Sequence, residues 1–261
     1  MKAGVSTACL YPALLEDSLS DLVRNGIKNT EIFVNTHCEL SPQYVHMLKD
    51  ILTEGNAVCT SLHPYTCPIE PMMLFSTYKR RLNDALDYCK NYFEAMNILG
   101  ADIFVLHGNK NSVAVDDSLY FERFVLLSEA AEKFGITVAQ ENVARCQSRS
   151  LNFLEKMSAY LGDRAKFILD VKQTIRSDED PFTVVRTLGN KIIHIHISDN
   201  DADNDCMLLG KGNFDIKKFL SLLSSEKFDG SVILELYRSN FSDISELVKS
   251  YEYLKSIINH L

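Results

Sequence analysis

Short apolar runs and longer amphipathic stretches alternate eight times along this chain. The runs are KAGVST, NTEIFVN, AVCTSLH, ADIFVLH, TVAQENV, KFILDV, IIHIHIS and SVILELY. Their nearly continuous Val, Ile, Leu and Phe content fits strands buried on both faces of a parallel sheet, which have no solvent side to alternate with. The stretches between them carry helical stripes. Leu82, Ala85, Leu86, Cys89, Phe93 and Met96 recur at helical spacing, with Gly100 as a C-terminal stop. Asp180 followed by Pro181 caps and opens a helix through Val184, Val185 and Leu188. Ser242 or Asp243 caps the last helix, whose inner face is Ile244, Leu247, Val248, Tyr251, Leu254 and Ile258. Eight repeated βα units predict a single (β/α)8 TIM barrel. No linker or low-complexity tract divides residues 1–261, so one domain is expected.

Length and charge narrow the picture. The 261 residues match the size of one such barrel, and 46% hydrophobic with 24% charged residues is ordinary for a soluble globular protein. A net charge of −8 argues against a general nucleic-acid surface, which needs clustered Lys and Arg. No apolar stretch reaches transmembrane length. The seven cysteines form no CxxC pair and are odd in number, which predicts reduced thiols and a cytoplasmic protein.

Four strand ends carry the chemistry. Glu141, Asp170, His196 and Glu235 close the fifth to eighth runs in turn, and carboxyl ends of barrel strands converge on one mouth. Three carboxylates there repel one another without a cation, and an imidazole completes a donor set for one divalent ion. A single strand-end acid is ordinarily a structural ion pair; three together favour the metal. His194 and His196 point the same way from IIHIHIS, and His196 is nearer the mouth. Asp199 is the expected orienter of His196. Glu31 reads equally as functional or structural. The stretch 64–76 holds three of the six prolines and a Met-Met-Leu-Phe run, and reads either as a lid or substrate wall or as a packed surface loop. Lys110, Arg145, Lys172, Lys211 and Arg238 follow strand ends, which points to an anionic substrate.

HPY at 63–65, LHG at 106–108, GITVAQEN at 135–142, LDV at 169–171, HISD at 196–199, GKGNFD at 210–215 and LELY at 234–237 resemble the xylose-isomerase-like TIM-barrel superfamily. That group includes ketose 3-epimerases, hydroxypyruvate isomerases, inosose dehydratases and endonuclease-IV-type DNA repair enzymes. The resemblance implies that Glu141, Asp170, His196 and Glu235 hold one Mn2+, Co2+, Mg2+ or Zn2+ ion. It also implies that Glu141 and Glu235 serve as the acid and base on a sugar or sugar phosphate. His63 and His107 match positions near substrate in the isomerases and zinc ligands in the repair enzymes. The superfamily commonly has Asp-x-x-His on its sixth strand, where this chain has Asp170-Val-Lys172-Gln173, so Lys172 and Gln173 are expected to face substrate, with Arg238. Asn204 and Cys206 likewise stand where the repair enzymes have zinc ligands. The expectation is therefore an isomerase or epimerase, possible as a homo-oligomer. An inosose-dehydratase-like lyase on the same site is the alternative, and a zinc-dependent abasic-site endonuclease ranks below both.

Overall fold

The computed structural model describes residues 1–261, and its eight strands form a closed parallel barrel in chain order. They are β1 (Lys2–Ser6), β2 (Asn29–Phe33), β3 (Val58–His63), β4 (Ile103–Leu106), β5 (Thr137–Glu141), β6 (Phe167–Asp170), β7 (Ile192–Ile197) and β8 (Ser231–Leu234). Each predicted run contains one of them. Closure comes from β1 against β8, with Lys2 opposite Ser231 and Val5 opposite Leu234. The helices are α1 (Leu15–Arg24), α2 (Pro42–Glu54), α3 (Glu70–Met73), α4 (Lys79–Leu99), α5 (Asp117–Glu132), α6 (Leu151–Leu161), α7 (Val171–Arg176), α8 (Pro181–Leu188), α9 (Ile216–Ser225) and α10 (Ile244–Ile258). This is a single (β/α)8 TIM barrel.

Local chemistry sets the helix ends. Gly100 stops α4 with φ +81°, a conformation glycine adopts without a Cβ clash. Asp180 accepts the Phe182 and Thr183 amides at the start of α8, and Asp243, rather than Ser242, caps α10 through the Ser245 amide. The main core lies between strands and helices, where Leu247 and Leu254 of α10 and Phe93 and Met96 of α4 are wholly buried. Inside the barrel the apolar floor is small, formed by Val105, Ala139 and Ile168. Above that floor the interior turns polar, and there the buried acids and histidines collect.

Strand length matters for the mouth. Because β4 ends at Leu106 and β8 at Leu234, His107 and Glu235 stand just beyond the sheet. No helix is long and apolar enough to cross a membrane. All seven cysteines are free.

Candidate active site

Sheet register brings the four expected donors together. Asp170, the last residue of β6, lies directly opposite His196 on β7, and Glu141 ends the neighbouring β5. Donor atoms of Glu141, Asp170, His196 and Glu235 all fall within 4.8 Å of one another. His196 Nδ1 is 3.1 Å from Glu141 Oε1, 3.6 Å from Glu235 Oε2 and 4.0 Å from Asp170 Oδ2. Glu141, Asp170 and His196 are buried, and only Glu235 keeps partial exposure. Glu141 Oε2 and Asp170 Oδ2 make no hydrogen bond although both are buried. Each faces a basic group, Lys172 Nζ at 3.2 Å from Asp170 and His107 Nε2 at 2.9 Å from Glu141, without an aligned hydrogen bond, and a cation between them would satisfy both. Three carboxylate oxygens and one imidazole nitrogen form a hard, open donor set that could hold a divalent metal ion.

Protons and an ammonium balance the charge of this cluster. Lys172 Nζ lies 2.8 Å from Glu235 Oε2 and 3.2 Å from Asp170 Oδ2. Burial pushes the Asp170 carboxyl up to about 7 against the pull of Lys172, with Glu235 and Glu141 adding to the rise. Burial raises Glu235 as well, but Lys172 and His196 outweigh it and hold this carboxyl down at about 2. Burial opposes a charge on His196, yet Glu31, Glu235 and Glu141 hold its pKa well above the ordinary imidazole range. These carboxylates favour the charged form of His196.

Glu31, on the far side of the barrel, is the residue that orients His196. Its Oε2 is 3.0 Å from His196 Nε2 and 3.2 Å from His194 Nε2, and it accepts the Ser61 hydroxyl at 2.8 Å. The Nδ1 edge of His196 is thereby turned to the donor cluster. Asp199 does not play that part. Its carboxylate accepts the backbone amides of Asn200, Gly210, Gly212 and Phe214, which folds the loop after β7. Gly212 fits because any Cβ there would lie 2.5 Å from Asp199 Oδ1. Proximity in sequence favoured Asp199; a fully buried Glu in NTEIFVN was the signal for Glu31.

A cavity of about 620 Å³ opens above the cluster, lined by His63, His107, Glu141, Lys172, Gln173 and Glu235 among others. His63 Nε2 and His107 Nε2 are 2.8 Å apart, and His107 Nε2 is 2.9 Å from Glu141 Oε2 without lining up for a hydrogen bond. Burial lowers His63 to about 4, aided by repulsion from His107, whereas Glu141 overcomes burial and raises His107. Cys67 joins these two histidines as a second group of closely spaced donors. Arg238 does not face the cavity; its guanidinium donates to the Phe241 and Ser242 carbonyls of its own loop. Of the other loop cations only Arg145 and Lys172 line the cavity, joined by Arg176, which the strand-end pattern did not single out. Arg176 grips Asp205 with two nitrogens and donates to the Tyr237 hydroxyl at 2.7 Å. The 64–76 stretch contributes Tyr65, Cys67 and Pro68 to the cavity wall while Leu74 and Phe75 join the main core.

The profile of the xylose isomerase-like TIM barrel family matches residues 19–257. The chain belongs to that family. One relative is an uncharacterized protein of Methanocaldococcus jannaschii, 23% identical over 285 residues that cover 99% of this chain and 89% of the relative. Another is the 3-dehydroshikimate dehydratase of Pseudomonas putida, 23% identical over 275 residues; the match takes in 99% of this chain and 41% of that longer protein. Among solved structures of the same fold, a D-tagatose 3-epimerase-like protein superposes with a TM-score of 0.81 at 21% identity, covering 100% of this chain and 99% of its own. Membership accounts for the barrel.

Proposed function

We propose that this family member is a metal-dependent isomerase or epimerase of a sugar or sugar phosphate, with Glu141 and Glu235 moving the proton. One observation carries the reading: two glutamates, from strands three apart around the barrel, flank His196 Nδ1 beneath an open cavity. Glu141, Asp170, His196 and Glu235 would hold the cation. When bound, it supplies Lewis-acid polarisation of a carbonyl and its neighbouring hydroxyl. One glutamate removes the proton next to that carbonyl, and the other returns a proton on the opposite face. Arg145 and Arg176 at the cavity wall suit a phosphate or carboxylate substituent. A volume of about 620 Å³ accommodates a monosaccharide.

A second reading rests on the inequality of the two glutamates. Lys172 hydrogen-bonds Glu235 and makes it a weak base, while β-elimination of water needs only one base. The dehydratase named among the relatives acts by loss of water, so a lyase on this site is the alternative.

A panel of aldoses, ketoses and their phosphates, incubated with Mn2+ in deuterium oxide, tests both. An epimerase yields product carrying deuterium next to the carbonyl, whereas a lyase yields a dehydrated product. Glu141→Gln or Glu235→Gln, with metal content measured on the same samples, is expected to lose roughly 10²–10⁴-fold in turnover. Near-natural turnover in a metal-replete variant would reduce that glutamate to a ligand. Product without deuterium would replace proton transfer by a hydride shift.

A further inference from the structure

Lys172 is an ammonium buried to 4% exposure, a state a lysine reaches only when paired. It is the second residue of α7, and its Nζ touches Asp170 Oδ2 and Glu235 Oε2 at once, with the Tyr237 ring centre 5.2 Å away. Those oxygens are the same two that face His196 Nδ1 at 4.0 and 3.6 Å. A cation seated against His196 Nδ1 would meet these same oxygens, which Lys172 already contacts. Two positive charges sharing one pair of oxygens repel each other. Lysine is also the cation best able to yield, being a point charge on a flexible four-carbon stem with no fixed fork to maintain. The way out is open, because Lys172 lines the cavity beside Gln173, and Tyr237 at its rim is exposed.

We propose that Lys172 is the counter-ion of the metal-free site, displaced into the cavity when a divalent cation binds and there presented to an oxyanionic group of the substrate. The proposal rests on the metal reading above. It accounts for the placement of the ammonium, which contacts Asp170 Oδ2 and Glu235 Oε2 together while Glu141 Oε1 faces His196 Nδ1. It also gives Lys172 two positions with one task each, so that the cavity gains its cation only once the cluster is loaded.

Reductive dimethylation of the full chain, read by peptide mass spectrometry, tests the displacement directly. With a chelator present Lys172 should resist labelling; with Mn2+ it should label at least tenfold faster, while exposed Lys90 labels equally in both. Equal labelling of Lys172 in the two states overturns the proposal. Lys172→Met adds a second reading by calorimetry and thermal unfolding. The variant should bind Mn2+ at least tenfold more tightly than the natural chain, and Mn2+ should raise its Tm by more. An affinity that is unchanged or weaker overturns the role of Lys172. Should the variant not fold without metal, the labelling experiment on the natural chain still decides. If neither protein binds Mn2+, the metal reading itself fails; if both bind it equally and labelling does not change, only the lysine's role fails.

Discussion

Asp170 does three things with one carboxyl. Oδ1 caps α7 by accepting the Gln173 amide at 2.9 Å, Oδ2 faces Lys172, and the backbone pairs with β7 beside His196. On the proposed metal reading, its pKa of about 7 would set the pH dependence of metal uptake. Below that value Asp170 keeps a proton that a cation must expel, and His196, also held protonated, must lose one too. Mn2+ affinity should therefore weaken by at least tenfold per unit as pH falls from 7 to 5, and the fall should flatten above the Asp170 value as far as that group is concerned. Calorimetric titrations across this range check it, and an affinity independent of pH would remove Asp170 and His196 from the ligand set. At the same scale, the partner of His196 is chosen by geometry. Glu31 lies 165 positions away and reaches it, while Asp199, three positions away, is consumed by four loop amides.

At the scale of elements, a buried carboxyl ties the segment between β3 and α4 to the end of β4. Glu70 opens α3, and its Oε2 accepts the Gly108 amide at 2.7 Å just past the end of β4. It lines a small apolar cavity together with Phe104, Leu106 and Leu127, and burial raises its pKa to about 7. The sign of the linkage follows from a folded pKa above the ordinary 4.5. The stability that protonated Glu70 contributes is whole below pH 4.5, falls as pH rises, and is lost above 7. Glu70→Gln, neutral at every pH, should accordingly be more stable than the natural chain above pH 7, by up to about 3 kcal/mol. The advantage should shrink to nothing near pH 4.5. Thermal unfolding with and without the substitution at pH 5 and 8 measures this; an advantage equal at both would mean that Glu70 does not titrate between them. Because this segment also supplies Tyr65, Cys67 and Pro68 to the cavity, its anchoring bears directly on the shape of the site.

Over the whole molecule, the charge balance and the loop contacts bear on the class of partner proposed above. A net charge of −8 disfavours the phosphate backbone of nucleic acid. The loop after β7 reinforces this, since Asp205 is tied to Arg176 and Cys206 is buried against the Glu235 carbonyl. With Gln173, Asn204 and Cys206 where the repair enzymes place zinc ligands, the protein should not incise abasic duplex DNA in the presence of Zn2+. Zinc-dependent nicking abolished by Glu141→Gln would reverse the ranking of functions. The positive groups that do face the cavity are few and local, which suits one anionic substituent on a small molecule better than a polyanion.

Much of this was legible along the chain. Eight buried strands need eight apolar runs, and parallel strands need helices between them, so periodicity alone determined the barrel and the mouth at which strand-end side chains gather. Glu141, Asp170, His196 and Glu235 could be read because each is a polar residue at the end of an apolar run, where burial demands a reason. Pairings across the barrel were not legible, since they depend on register and closure. Strand order placed Glu31 of β2 under His196 of β7, and the first turn of α7 bent Lys172 back onto Asp170 and across to Glu235. Loop geometry likewise decided that Arg238 turns away to its own carbonyls while Arg176 lines the cavity. Sequence specifies which groups are too costly to bury alone; only the closed barrel decides which partner relieves each of them.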